Sequence, residues 1–193
     1  MFERHDNVID KVLNPLKIMK KSIMEFEIGE LHDTGIYRFK KIIEMHIGEK
    51  VYSRYLIYSK SENTEYVLEL FPIENGQVEA YLFNLSDTIP FSEDFLEVAG
   101  QKYLTTPEGD EYERVFAPED EGRVDGVSGR IKVYDIESDR IEKENGVKIW
   151  DYTREVDGNL KCLNLEMLED TGMFRIFKGE AIESIFYKVY QAQ

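Results

Sequence analysis

A single cysteine, Cys162, occurs in the 193 residues, so no intramolecular disulfide can form and no thiolate zinc cluster can be built. That scarcity fits a reducing compartment. Proline is sparse as well, at 5 residues, and set beside 12 Tyr and 11 Phe it leans the chain toward strands. No stretch approaches the roughly 20 apolar residues that span a bilayer. Met1 to Asp10 has no apolar signal-peptide core, and the expected location is cytoplasmic. Positive charge is short too: 24 basic against 39 acidic side chains leave a net charge of −15. A field of that sign repels phosphate backbones, so nucleic acid is not an expected partner.

Recognisable catalytic spacings are missing. The glycines at 122, 126 and 129 lack the strand-then-helix setting and the Lys-Ser/Thr ending of a phosphate loop. His5, His32 and His46 form no H-x-x-x-H or H-E-x-x-H pair. No Gly-x-Ser-x-Gly elbow occurs, and Cys162 sits inside an apolar run where a lone cysteine acts as a small filler. Glu119-Asp120-Glu121 with Asp125 lacks the regular D-x-D-x-D-G calcium loop and reads as a solvated acidic segment. These patterns assign no catalytic residue, no metal and no cofactor, and they favour a protein that is not an enzyme.

What is present is period-two alternation. Ile36–Ile47, Val51–Tyr58, Tyr66–Phe71 and Val78–Leu85 alternate as strands, with a slip at Lys40-Lys41 and a hairpin signal at Asn75-Gly76. Ile131–Ile136, Val147–Val156, Leu160–Met167 and Met173–Lys178 follow, with a second hairpin signal at Asp157-Gly158-Asn159. Between the two sets, Ser92 is placed to cap one helical turn, and residues 104–130 read as a long surface loop. Residues 6–26 read as helical, and 180–190 as either a strand or a C-terminal helix, with helical spacing the better match. The expected fold is mainly β (α+β): antiparallel meanders that form one or two small barrels or stacked sheets, with an N-terminal helical segment and a C-terminal helix. Its divisions fall at 1–27, 28–98 and 99–193, the last two being either separate or one continuous domain.

Two segments stand out as binding candidates. Trp150, Tyr152 and Arg154 share one face of a strand, where they make a row suited to stacking a ligand or peptide. The competing reading puts Trp150 and Tyr152 in the core and pairs Arg154 with a carboxylate across the hairpin, such as Glu166. The other segment is the amphipathic stretch carrying Lys17, Lys20 and Lys21. It is suited to a membrane surface or a partner, although covering one end of the barrel is the favoured role. The leading expectation is a binding or accessory module for an unidentified protein or small molecule. The alternatives are a membrane-peripheral accessory protein docking through the basic N-terminal helix and a metal-dependent enzyme with a non-local carboxylate site.

Arg54-Tyr55-Leu56-Ile57-Tyr58 followed by Tyr66-Val67-Leu68-Glu69 resembles the rhythm of a bacterial group of unknown function, the YjfK-like domains. Gly109 to Phe116, Trp150 to Arg154 and Leu163 to Glu166 are similar to that group's C-terminal pattern. The resemblance implies a β-rich cytoplasmic protein and carries no catalytic residue over.

Overall fold

The computed structural model describes residues 8–10, 22–26, 35–59, 63–73, 78–135, 140–182 and 187–191. The alternating runs rich in aromatic and β-branched residues become strands, as such side chains favour a pleated surface. Strands β3 (Gly35–Ile47), β4 (Lys50–Ser59), β5 (Thr64–Pro72) and β6 (Val78–Ile89) make the expected meander. The β3–β4 register shifts between Phe39 and Lys41. One extra residue there turns Phe39 and Ile42 to the same apolar cluster.

The second set is β9 (Val127–Asp135), β10 (Ile141–Val156), β11 (Asn159–Leu168) and β12 (Phe174–Ile182). Asp157 and Gly158 turn β10 into β11 with φ of 51° and 80°, the two positive angles that a tight primed hairpin turn requires. β6 pairs with β12, and β9 pairs with both β10 and β3. The 8 strands thereby close into an antiparallel barrel, leaving no open edge in its wall. Residues 28–98 and 99–193 each contribute one side of this barrel.

Three expectations are corrected. Val8–Asp10 and Ser22–Phe26, at the two ends of the expected N-terminal helix, are strands β1 and β2. The residues between them, Lys17, Lys20 and Lys21 included, lie outside the described residues. At the other terminus Tyr187–Gln191 is strand β13 rather than helix. β13 bridges β1 and β2, and β2 joins the start of β3. Pairing between the two chain ends thus overrides the local helical spacing, a non-local effect that periodicity does not carry. Finally, the segment expected as a long loop holds β8 (Glu111–Arg114), which pairs with β7 (Tyr103–Thr105) and with β10.

Helix α1 (Glu93–Val98) is the expected single turn. Ser92 Oγ caps it by accepting from Phe95 N at 3.3 Å. α1, β7 and β8 roof the outward faces of β10, β11 and β12. Beneath them Trp150, Tyr152, Leu163, Leu165 and Phe174 are buried together with Ala99, Leu104 and Tyr112. Tyr152 Oη shares its proton between the carbonyls of Ala99 and Gln101, at 2.9 and 2.8 Å. Gly126 lies so close to Trp150 that a Cβ there would come within 2.7 Å of the indole ring, so only glycine lets the backbone pass.

One arginine organises the loop beside this roof. Arg114 is 2% exposed and donates to the carbonyls of Phe116, Gly100, Gly122, Ala117 and Asp120 at 2.6 to 3.0 Å. All five guanidinium N–H groups are thus engaged. The neighbouring acids turn outward to lysines: Glu121 pairs with Lys102 and Asp125 with Lys148, each at 2.6 Å.

Candidate functional site

Register partners in a sheet share a face, which identifies the side chains that fill the barrel. Tyr52 lies opposite Met45, Met45 opposite Ile131, Arg54 opposite Glu69, and Ile149 opposite Glu166, which in turn faces Arg175. Two apolar layers result. Met45, Ile47, Tyr52, Ile131, Val147 and Ile149 form one, and Val67, Phe83, Cys162 and Phe177 form the other. Filling by side chains is what a barrel of this strand number requires.

Between the layers lies a charged belt. Arg54, 4% exposed, stands in contact with both layers: its guanidinium carbon is 6.0 Å from the Tyr52 ring and 5.8 Å from those of Phe83 and Phe177. Its Nε donates to Glu69 Oε2 at 2.5 Å, and its Nη1 donates to Glu166 Oε1. Arg175 Nη2 donates to the other oxygen of Glu166 at 2.5 Å. Burial opposes charge at Glu166, but Arg54 and Arg175 outweigh it and hold this carboxyl below the ordinary range. Glu69 goes the other way, because burial raises it more than Arg54 lowers it.

Asp151 completes the belt and differs from the rest. It is exposed to solvent, yet burial is the leading cause that raises its carboxyl above the ordinary range. Two residues past Ile149 on the lumen face of β10, it stands where the belt meets solvent. Its register partner Asn164, 1% exposed, donates Nδ2 to Asp151 Oδ1 at 2.6 Å. Asn164 Oδ1 is buried and accepts nothing from the described residues. At the mouth, Lys50 lies two residues before Tyr52 on the same face of β4. Its ammonium is 5.0 Å from the centre of the Phe71 ring, which packs at 5.4 Å on Tyr52.

The residues singled out in the sequence fall on both sides of this wall. Trp150 and Tyr152 are 0% and 1% exposed beneath the roof, so they present no stacking face. Arg154 lies over the Tyr112 ring at 5.2 Å and pairs with Asp110 at 2.5 Å. Its register partner is Lys161, whereas Glu166 lies on the lumen side with Arg54 and Arg175. Cys162 is a packed filler whose thiol burial pushes up to about 12, so it stays protonated at neutral pH. Arg54, Glu69, Asp151, Asn164 and Arg175 form no sequence motif, because they come from five different strands. The available signal was a polar residue placed on an otherwise apolar face.

Among the described residues, no helix is long and apolar enough to cross a membrane, and no group of three or more His, Cys, Asp or Glu is placed to hold a metal ion. No family model, curated protein or solved structure matches the chain.

Asp151 can be separated from the fold by a substitution. Because folding raises its carboxyl, the group loses stability as pH climbs from the ordinary aspartate range through the folded value. Asp151→Asn keeps an acceptor for Asn164 and is expected to stabilise the chain at pH 7 by roughly 0.5 kcal/mol, kept small because water screens the carboxylate. Urea unfolding at pH 7 and below pH 4 checks this, with the gain present only at the higher pH.

Proposed function

We propose that this protein is a non-enzymatic, cytoplasmic binding module whose ligand enters the mouth of the barrel beside Asp151. The observation that carries the reading is the pairing of a solvent-reached acid with the buried, unpartnered Asn164 Oδ1. Polar groups inside a protein ordinarily find partners, and groups that do not are candidates for binding something else. A raised carboxyl on a residue that solvent reaches strengthens this reading. The remaining charges favour a holding role, since Arg54, Glu69, Glu166 and Arg175 neutralise one another in fixed ion pairs. The lone buried thiol of Cys162 suits a reducing compartment.

A fragment titration tests the location of the site. Two-dimensional NMR of the labelled chain with a library of cationic, neutral and anionic fragments is expected to shift the Asn164 side-chain amide and the Tyr52 and Phe71 rings first. Fragments that move only roof residues such as Tyr103 or Val98 would place the binding surface elsewhere.

A further inference from the structure

The chemistry of the mouth narrows the ligand class, an inference that rests on the proposed binding site. Asp151 ends in a carboxyl group, and Asn164 leaves an amide oxygen without a donor. Both are acceptors toward an incoming N–H group. Phe71, packed on Tyr52, belongs to the apolar layer that holds Ile149, two residues before Asp151 on the same face of β10. Aromatic faces attract a cation through their negative π surface. The chain itself supplies a stand-in. Lys50, projecting to the lumen side from the rim, holds its ammonium over Phe71 at 5.0 Å and acts electrostatically on Asp151.

We infer that the mouth binds the ammonium head of a small primary amine, seated between the Phe71 ring and Asp151 with an N–H directed to Asn164 Oδ1. Lys50 is then an internal competitor, because its ammonium occupies the same aromatic face. It is also exposed, so a ligand can displace it toward solvent. The belt behind discriminates further. Arg54 is already held by Glu69 and Glu166, and Arg175 by Glu166, so the belt offers an anionic ligand no unpaired guanidinium.

The test uses three probes of one shape, namely butylamine, butan-1-ol and butyrate, titrated into the full chain and followed by the Asn164 amide and Tyr52 ring resonances. Butylamine is expected to shift them saturably, while the alcohol and the acid do not. Asp151→Asn should weaken butylamine at least tenfold. Lys50→Met should tighten it about threefold by removing the competing ammonium. Both positions are exposed, and circular dichroism checks that each variant folds. Equal butylamine affinity in wild type and Asp151→Asn would overturn the amine assignment. So would saturable shifts from butyrate or butanol in place of butylamine, although the binding site itself would then stand. No shift at these resonances from any of the three probes, or from the wider fragment library, would overturn both.

Discussion

Glu166→Ala is expected to cost about 3–5 kcal/mol of folding stability, the range for removing one partner of a buried ion pair. The residue is 0% exposed and its two carboxylate oxygens are divided between Arg54 and Arg175. Truncation leaves Arg54 with Glu69 alone and removes the carboxylate that holds Arg175. Glu166→Gln keeps one acceptor oxygen but loses the charge, so its cost should fall between that of alanine and zero. The double replacement Glu166→Met with Arg175→Met should recover most of the loss. It removes one ion pair as a unit and leaves Arg54 matched to Glu69. Urea unfolding of the three variants measures this, and a cost below about 1 kcal/mol for Glu166→Ala would mean that the belt is not a fixed ion-pair network. The pH sign follows from the lowered carboxyl. Its stabilisation is present above the ordinary glutamate range and is lost as pH falls through the folded value. Glu69 and Asp151 have raised carboxyls and work in the opposite direction.

Arg114 carries the second large expected effect. Its five hydrogen bonds end on carbonyls of the segment between Gly100 and Gly122. A hydrogen bond to a charged group contributes more than a neutral one, and buried carbonyls left bare are costly. Arg114→Ala should therefore destabilise by about 3 kcal/mol or more. Lysine offers three donors on a point charge and cannot reproduce the planar fork, so Arg114→Lys should lose about half as much. The damage should be local. Hydrogen exchange is expected to rise across residues 115–124 and in β8, while the lumen strands β4 and β5 keep their protection. Unchanged exchange in 115–124 would show that the loop holds its shape without the arginine.

These two sites differ in how far the sequence displays them. The barrel strands were legible because residues such as Ile43, Met45 and Ile47 recur at period two before a Gly-containing turn, and the Asp157-Gly158 hairpin appears where that pair demands it. The Lys40-Lys41 slip also showed as a break in alternation. β1, β2 and β13 did not show, since each is stabilised by a partner at the far end of the chain. Their short apolar spacings fit a helix as well as a strand. β8 was hidden for a related reason: Glu111-Tyr-Glu-Arg has one outward charge for each buried side chain and looks like loop.

Trp150 and the proposed site share strand β10, but the aromatic row of that strand faces the roof, and the lumen acid is the intervening Asp151. Both faces of β10 are covered, one by the barrel interior and one by α1, β7 and β8. Alternation alone therefore has no polar side by which to tell inside from outside. The companions of Asp151 come from β4, β5, β11 and β12, and only barrel closure brings them together.

The Asp151 carboxyl offers the most direct measurement, by carbon-13 NMR pH titration of the free chain and of the chain saturated with butylamine. Burial and Glu166 raise it, while the Asn164 bond, Arg54 and Lys50 lower it. An ammonium seated beside it adds a further lowering influence. A midpoint above the ordinary aspartate range in the free chain, moving down when the amine binds, is the expected result. A midpoint inside the ordinary range, or one that butylamine leaves in place, would contradict a ligand site at Asp151.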